Sequence, residues 1–256
     1  MSYLITEIQD RVAVVTINRP AQLNALNAAV LQELHEEVVR LDAHSGVRAV
    51  VLTGSGEKAF VAGAAIAEFA SFSPEEGEAL ATRGQALVFD RIEQSSKPFI
   101  AAINGFALGG GLELAMACHI RLASSTAKMG LPEVGLGVIP GYGGTQRLPR
   151  LVGNGRALQM IATAKMIDAL TAERWGLVNS VHEGSDLLPQ AMALGQQIAM
   201  QSGNATTEAL AAVRAGWDNP VAGFSEEKKR FGACFQTPEF VEGTTAFLEK
   251  RKPQYS

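Results

Sequence analysis

Residues 97–121 read KPFIAAINGFALGGGLELAMACHIR, and between Lys97 and Arg121 the only residue charged at pH 7 is Glu113. That stretch constrains the fold more than any other. The apolar run Pro98 to Ile103 suits a buried strand, and Asn104-Gly105 marks a turn. Gly109-Gly110-Gly111 then leads into a helical pattern from Leu112 to Cys118. Strand, glycine-rich turn and helix in succession expose backbone N–H groups at a helix start, where the dipole favours negative charge. Glycines there let another group approach the main chain closely. Glu113 follows Gly110 by about one helical turn, so its carboxylate can lie beside an oxygen held by the Gly110 N–H.

A second carboxylate, Glu133, sits in the weakly charged run Met129-Gly-Leu-Pro-Glu-Val-Gly-Leu136. A carboxylate among apolar neighbours is costly to desolvate, so its proton affinity rises. Two such groups beside an exposed amide are what acid/base chemistry on a carbonyl compound requires. A plainer reading is available from the same residues. Glycine turns also serve to pack a helix on a sheet, and a Glu near a helix start is a favourable, inert dipole partner. The residues alone leave both open. Dinucleotide binding is the weaker idea, because Gly105-Phe-Ala-Leu-Gly109-Gly110-Gly111 lacks the G-x-G-x-x-G spacing.

The rest of the chain alternates strand and helix signals. Strand patterns cover Arg11 to Ile17, Arg48 to Gly54 and Ile120 to Ser124, with a last strand-like run from Gly176 to Val181. A helix from about Ala28 to Leu41 carries Val30, Leu31, Leu34, Val38 and Leu41 on one face, and another runs from Pro74 to about Gln94. Phe60-Val-Ala-Gly-Ala-Ala-Ile66 has little side-chain bulk and leads from a strand towards a helix, again bringing N–H groups within reach of a ligand. Pro140-Gly-Tyr-Gly-Gly144 is a glycine loop before a helix beginning near Thr145. From about Asp186 the pattern is almost wholly helical. This predicts an α/β body over residues 1–195 and a helical C-terminal region over 196–256. No repeat of fixed period is detectable.

At 256 residues the chain can bury a full core, and 47% hydrophobic with 19% charged residues describes a soluble globular protein. A net charge of -4 argues against nucleic acid as a partner. The basic run within Glu226-Glu-Lys-Lys-Arg230 is balanced by its own acids and reads as a solvated face. The two cysteines, Cys118 and Cys234, cannot make a disulfide framework, and Cys118 reads as a small buried hydrophobe. Neither a signal peptide nor a membrane span is evident, so the expectation is a cytoplasmic protein with no membrane partner.

The order Arg19-Pro-x-x-x-Asn24-Ala-Leu26, Phe60-x-Ala-Gly-Ala64, Asn104-Gly-x-Ala-Leu-Gly-Gly-Gly-x-Glu113-Leu-Ala115 and Gly130-x-Pro-Glu133-x-x-Leu-Gly137-x-x-Pro-Gly-x-Gly-Gly-Thr-Gln-Arg-Leu148 resembles the enoyl-CoA hydratase (crotonase) superfamily. The likeness runs over essentially the whole chain. It implies an α/β fold, a spiral of ββα units with a helical C-terminal trimerisation region, assembled as a trimer or a dimer of trimers. It implies an acyl-CoA thioester as substrate, with coenzyme A part of that substrate, no separate cofactor and no metal.

By resemblance, Ala64 and Gly110 supply the backbone N–H groups that bind the thioester oxygen. Ala64, Ala65, Ile66, Ala67 and Gly110 line the substrate, and Glu113 and Glu133 are the catalytic carboxylates. Phe247 and Lys250 match residues that approach the CoA of a neighbouring subunit. Keeping both carboxylates implies hydration of a trans-2-enoyl-CoA to a 3-hydroxyacyl-CoA. The alternative is a Δ3,Δ2-enoyl-CoA isomerase or another CoA-thioester enzyme, in which one base moves a proton between carbons. An RNA-binding relative and a peptidase built on His119 with Ser124 and Ser125 are more distant rivals.

Several residues depart from the family pattern. Ala65 replaces an Asp suited to capping the following helix. His119 replaces an Asp after the cysteine and reads as structural. Tyr142 replaces a smaller residue, and either narrows the acyl pocket or faces solvent. Ala164 and Trp175 also differ from the residues common in relatives.

Overall fold

The computed structural model describes residues 2–255, apart from the side chains of Ala67 and Asp218. The chain starts with a hairpin of β1 (Leu4–Gln9) and β2 (Val12–Ile17), whose turn residues Asp10 and Arg11 both take positive φ, 48° and 67°. Helix α1 (Ala28–Ala43) follows, its start capped by the Asn27 side chain accepting from the Val30 N–H at 2.9 Å. Its buried face is Val30, Leu31, Leu34, Val38 and Leu41, the stripe the sequence pattern predicts.

A repeated unit then appears. Strands β3 (Ala49–Gly54) and β4 (Ala59–Val61) lead to a long helix; β5 (Phe99–Ile103) and β6 (Phe106–Leu108) lead to another; β7 (Ile120–Ser124) and β8 (Lys128–Gly130) lead to a third helical stretch. The first strand of each pair joins one sheet and the second joins another. A short β9 (Ile167–Asp168) closes the smaller sheet and β10 (Ser180–His182) the larger, giving the orders β1-β2-β3-β5-β7-β10 and β4-β6-β8-β9. From β2 to β10 the large sheet is parallel. All of β3 and β5 is buried, which explains why AVVLTG and FIAAI carry almost no polar side chains.

The helices of the body are α2 (Pro74–Gly84), which passes through a π-turn (Gln85–Phe89) into α3 (Asp90–Glu93), then α4 (Gly110–Ala117), α5 (Gly144–Val152), α6 (Asn154–Thr163) and α7 (Ala169–Trp175). Ser73 and Glu76 form a reciprocal capping box at the start of α2. Helix α8 (Gly184–Ala199) covers the large sheet, Leu187 and Ala191 packing on Val12, Val51, Ile100 and Leu122. It runs unbroken through residue 195, so the expected boundary between body and C-terminal region falls inside a helix, and the chain turns only after Ala199. Beyond it α9 (Gly203–Asp218), α10 (Pro220–Cys234) and α11 (Pro238–Leu248) present exposed Val213, Phe224, Phe231 and Phe247.

Two sequence expectations need correcting locally. The segment after Ala64 makes only a 3-10 turn, Ile66–Glu68, and the helix waits until Pro74; Ala65 offers no side-chain cap. Gly176 to Val178 is a turn, with strand only from Ser180. Strands β4, β6, β8 and β9 have two or three residues each, too short for a period-two pattern to be recognised.

Candidate active site

The site grows from the C-terminal ends of three adjacent strands of the small sheet. Ala64 follows β4, Gly110 follows β6 and Glu133 follows β8. Asn24 fixes the approach to β4 and its first residue. Fully buried, it donates from Nδ2 to the carbonyls of Ser55 and Ala59, while its Oδ1 accepts from the Arg19 N–H. The neighbouring main chain zips onto the same segment: Ala62 N–H donates to Leu23 O, Leu26 N–H to Gly63 O, and Ala65 N–H to Leu26 O at 2.7 Å. In that parallel bridge the Gly63 carbonyl and the Ala65 N–H face Leu26, so the Ala64 N–H is turned away from that segment.

Gly110 is the first residue of α4, and an N–H there has no carbonyl of its own helix to bond. Gly109 makes the sharp entry with φ 50°, and its N–H donates to Gly130 O at 2.9 Å, tying the turn to β8. Ala64, Gly110, Glu113 and Glu133 line one cavity of about 530 Å³, which Ile66 also borders and whose remaining walls are largely apolar. Ala65 borders a neighbouring hollow instead. The side chain of Ala67 lies outside the described residues.

Glu113 is 1% exposed, and its Oε1 accepts two main-chain bonds, from the N–H groups of Tyr142 and Gly144, each at 2.8 Å. Burial pushes its carboxyl up to about 7; the charge of Glu133 adds to the rise, and the two amides and Arg147 oppose it. Glu133 opens a 3-10 turn, Glu133–Leu136, and burial raises its proton affinity too. Its Oε2 is buried with no hydrogen-bond partner among the described residues, aimed into a polar corner where a Cβ on Gly109 would meet the other carboxylate oxygen at 2.9 Å. Such an atom is expensive to leave unpaired and calls for a ligand or a proton.

Tyr142 resolves one of the open alternatives. It is 7% exposed, with its ring stacked on Phe89 at 4.7 Å and pressed against Gly84, so it faces inward. The ring also lies 3.4 Å from where a Cβ on Gly110 would stand, next to the amide. His119 is structural: Nδ1 accepts from the Phe99 N–H at 3.0 Å, and burial lowers its pKa to about 4. Ser124 bonds Thr126 and Ser125 bonds Glu183, so neither joins His119 in a nucleophilic triad. Arg230 pairs with Glu208 and Glu226, leaving little basic surface for RNA.

Two features escaped the sequence reading. The loop Pro140 to Gly144 appeared only as flexible glycines, yet its amides are the sole main-chain partners of the Glu113 carboxylate among the described residues. Arg147, quoted only as part of a motif, is 4% exposed and bonded back to that loop. An Arg in an otherwise apolar helix face, three residues after paired glycines, is the signal that was available. Among the described residues no group of His, Cys, Asp and Glu could hold a metal ion, and no helix is long and apolar enough to cross a membrane.

Ala64, the helix-start Gly110 and two carboxylates with raised proton affinity border one cavity, an arrangement suited to acid/base chemistry on a carbonyl compound. The chain belongs to the enoyl-CoA hydratase/isomerase family, whose model matches residues 7–256. It is 47% identical to a short-chain-enoyl-CoA hydratase of Clostridium acetobutylicum, over 98% of this chain and 97% of that one. It is equally 47% identical to a crotonyl-CoA hydratase of Syntrophomonas wolfei, with the same coverage. Among solved structures, an enoyl-CoA hydratase from Bacillus anthracis superposes with a TM-score of 0.94 at 38% identity, over 99% of both chains. The fold is the crotonase fold, and the ββα spiral described above is its repeat.

Proposed function

We propose that this chain is an enoyl-CoA hydratase that adds water across the double bond of a trans-2-enoyl-CoA thioester and releases the 3-hydroxyacyl-CoA. The Ala64 and Gly110 N–H groups bond the thioester oxygen and strengthen their hold as negative charge gathers there during attack at C3. Glu113, whose Oε1 is held by two amides, orients the water and takes its proton. Glu133, whose proton affinity burial raises, delivers a proton to C2. The two carboxylates titrate as a coupled pair, so the protons belong to the pair and not to either residue alone. Coenzyme A enters as part of the substrate, along the run Ala64 to Ala67, and the chemistry asks for no further cofactor.

One observation carries the reading: both amides and both carboxylates border the same cavity. It favours hydration over the isomerase alternative, which needs a single base and no water. Tyr142 refines the substrate class. Tyr142 lines both that cavity and a second hollow of about 450 Å³ that Leu26 and Leu31 border, and its bulk there favours a short acyl chain. The names of the two bacterial relatives agree with a short-chain ester.

The exposed apolar side chains of the C-terminal helices support assembly as a trimer or a dimer of trimers, in which Phe247, 82% exposed, and Lys250 approach the CoA of a neighbour. A cytoplasmic location fits a substrate carried on coenzyme A. The test is Glu133→Gln: hydration of crotonyl-CoA falls by about 10² to 10⁴ while binding of the ester persists. Near-normal turnover in that variant, or conversion of 3-enoyl but not 2-enoyl esters by the unaltered enzyme, overturns the proposal.

A further inference from the structure

Glu113 is held in place by groups other than the second carboxylate. Its Oε1 depends on the amides of Tyr142 and Gly144, and those belong to a glycine loop with no regular structure of its own. Arg147 grips that loop. From the first turn of α5 its Nη1 donates to the Tyr142 carbonyl at 2.9 Å, on the very residue whose N–H holds Glu113. Its Nη2 donates to Asp90 Oδ1 at 2.8 Å and to Glu93 Oε2 at 2.6 Å, and its Nε reaches the same Glu93 oxygen at 3.2 Å. Gln85, in the π-turn of the same helix, donates from Nε2 to the Gly141 carbonyl at 2.7 Å. Two successive loop carbonyls are therefore fastened to the helix running from Pro74 to Glu93. Gly143, at φ 97°, leaves the space the guanidinium fills, since a Cβ there would stand 2.1 Å from Nη1.

We infer that Arg147, anchored on Asp90 and Glu93, is a positioning residue for the reaction: its guanidinium fork fixes the Tyr142–Gly144 loop so that two amides converge on one oxygen of Glu113. The inference rests on the hydratase reading. A planar fork with fixed donor directions can serve the carbonyl and both carboxylates at once; a Lys ammonium keeps the charge and loses that geometry. The charged or titratable groups acting on Glu113 are Glu133 from its 3-10 turn, Arg147 from α5 and the Tyr142 hydroxyl from the loop, which also supplies the amides. Releasing the loop removes two donors that favour the ionised carboxylate, so its proton affinity rises further. A base that works when ionised then reaches full activity only at higher pH.

The test compares the unaltered enzyme with Arg147→Lys and with the pair Arg147→Met/Glu93→Gln. The pair avoids an orphaned carboxylate at Glu93, while Arg147→Lys keeps the positive charge that acts on Glu113, so a limb that moves in both variants reports the lost fork and not the lost charge alone. Crotonyl-CoA hydration is followed across pH, with thermal melts to establish folding. Expected in both variants are a kcat lower by about 10- to 100-fold, a KM changed less than about twofold, and an acid limb of kcat/KM moved to higher pH. A folded variant of either kind with unchanged kcat and an unmoved acid limb overturns the inference, because lost packing alone lowers the melting temperature without shifting that limb. An unaltered enzyme that fails to hydrate crotonyl-CoA overturns the hydratase reading instead, so the two failures are told apart.

Discussion

Glu113→Gln gives the sharpest check on the electrostatics of the site, because it removes a charge and keeps the shape. Gln offers the same Oε1 to the Tyr142 and Gly144 amides, so the loop stays docked. The native carboxyl moves from an ordinary 4.5 to about 7, chiefly because it is buried. At about 1.4 kcal/mol per tenfold change in proton affinity, ionising it in the folded protein costs about 3 kcal/mol. The sign follows from proton binding. The folded state holds this proton more tightly than the unfolded chain, so the cost is absent below the unfolded value and complete above the folded one. Gln cannot ionise and escapes it. At about pH 8 the variant is therefore more stable by up to about 3 kcal/mol, or roughly 6–12 °C in melting temperature for a chain of this size. The gap closes as the pH falls towards about 4.5. Denaturant melts at several pH values measure it, and hydratase activity falls in parallel. A variant less stable than the parent at about pH 8, or a gap that does not change with pH, refutes the reasoning.

Two further substitutions probe the walls of the cavity. Tyr142→Ala removes a ring that lines both hollows, and a chain-length series of trans-2-enoyl-CoA esters should show kcat/KM for longer chains rising relative to crotonyl-CoA by about 10-fold or more; an unchanged preference excludes Tyr142 as the limit on chain length. Gly109→Ala puts a methyl 2.9 Å from Glu133 Oε1 at a backbone φ of 50°, so turnover should fall by about 10² or more, with a loss of about 1–2 kcal/mol in stability; full activity would mean that Glu133 need not sit where it does.

Much of this was legible in the sequence because the informative stretches are long and nearly free of charge. The helix stripe from Val30 to Leu41 and the runs that became β3 and β5 announce themselves, since burial on one face or on both leaves a pattern in composition. Glu113 stands out as the single charge in such a run. Strands β4, β6 and β8 were not legible: three residues each cannot carry a period, and their existence depends on neighbours distant in sequence. The grip of Arg147 on Tyr142 was hidden for the same reason. It joins the α5 start to Asp90 and Glu93, and although the Arg itself is marked by its apolar helix face, nothing in the sequence points to partners 57 and 54 residues earlier. Tyr142 itself was ambiguous until Gly84 and Phe89, more than fifty residues earlier, were seen on either side of its ring.

The adjacency of β4, β6 and β8 has a consequence for how this site responds to change. Neighbouring strands are held about 4.8 Å apart by their main-chain ladder. The separation between the two amides, and between the second amide and the Glu133 turn, is thus gauged by the backbone and hardly at all by the size of the side chains beneath. Trimming those side chains should soften the protein long before it detunes the chemistry. By the same token the final rung is interchangeable: a different residue delivered after β8 could redirect the proton while the grip on the carbonyl oxygen is inherited intact.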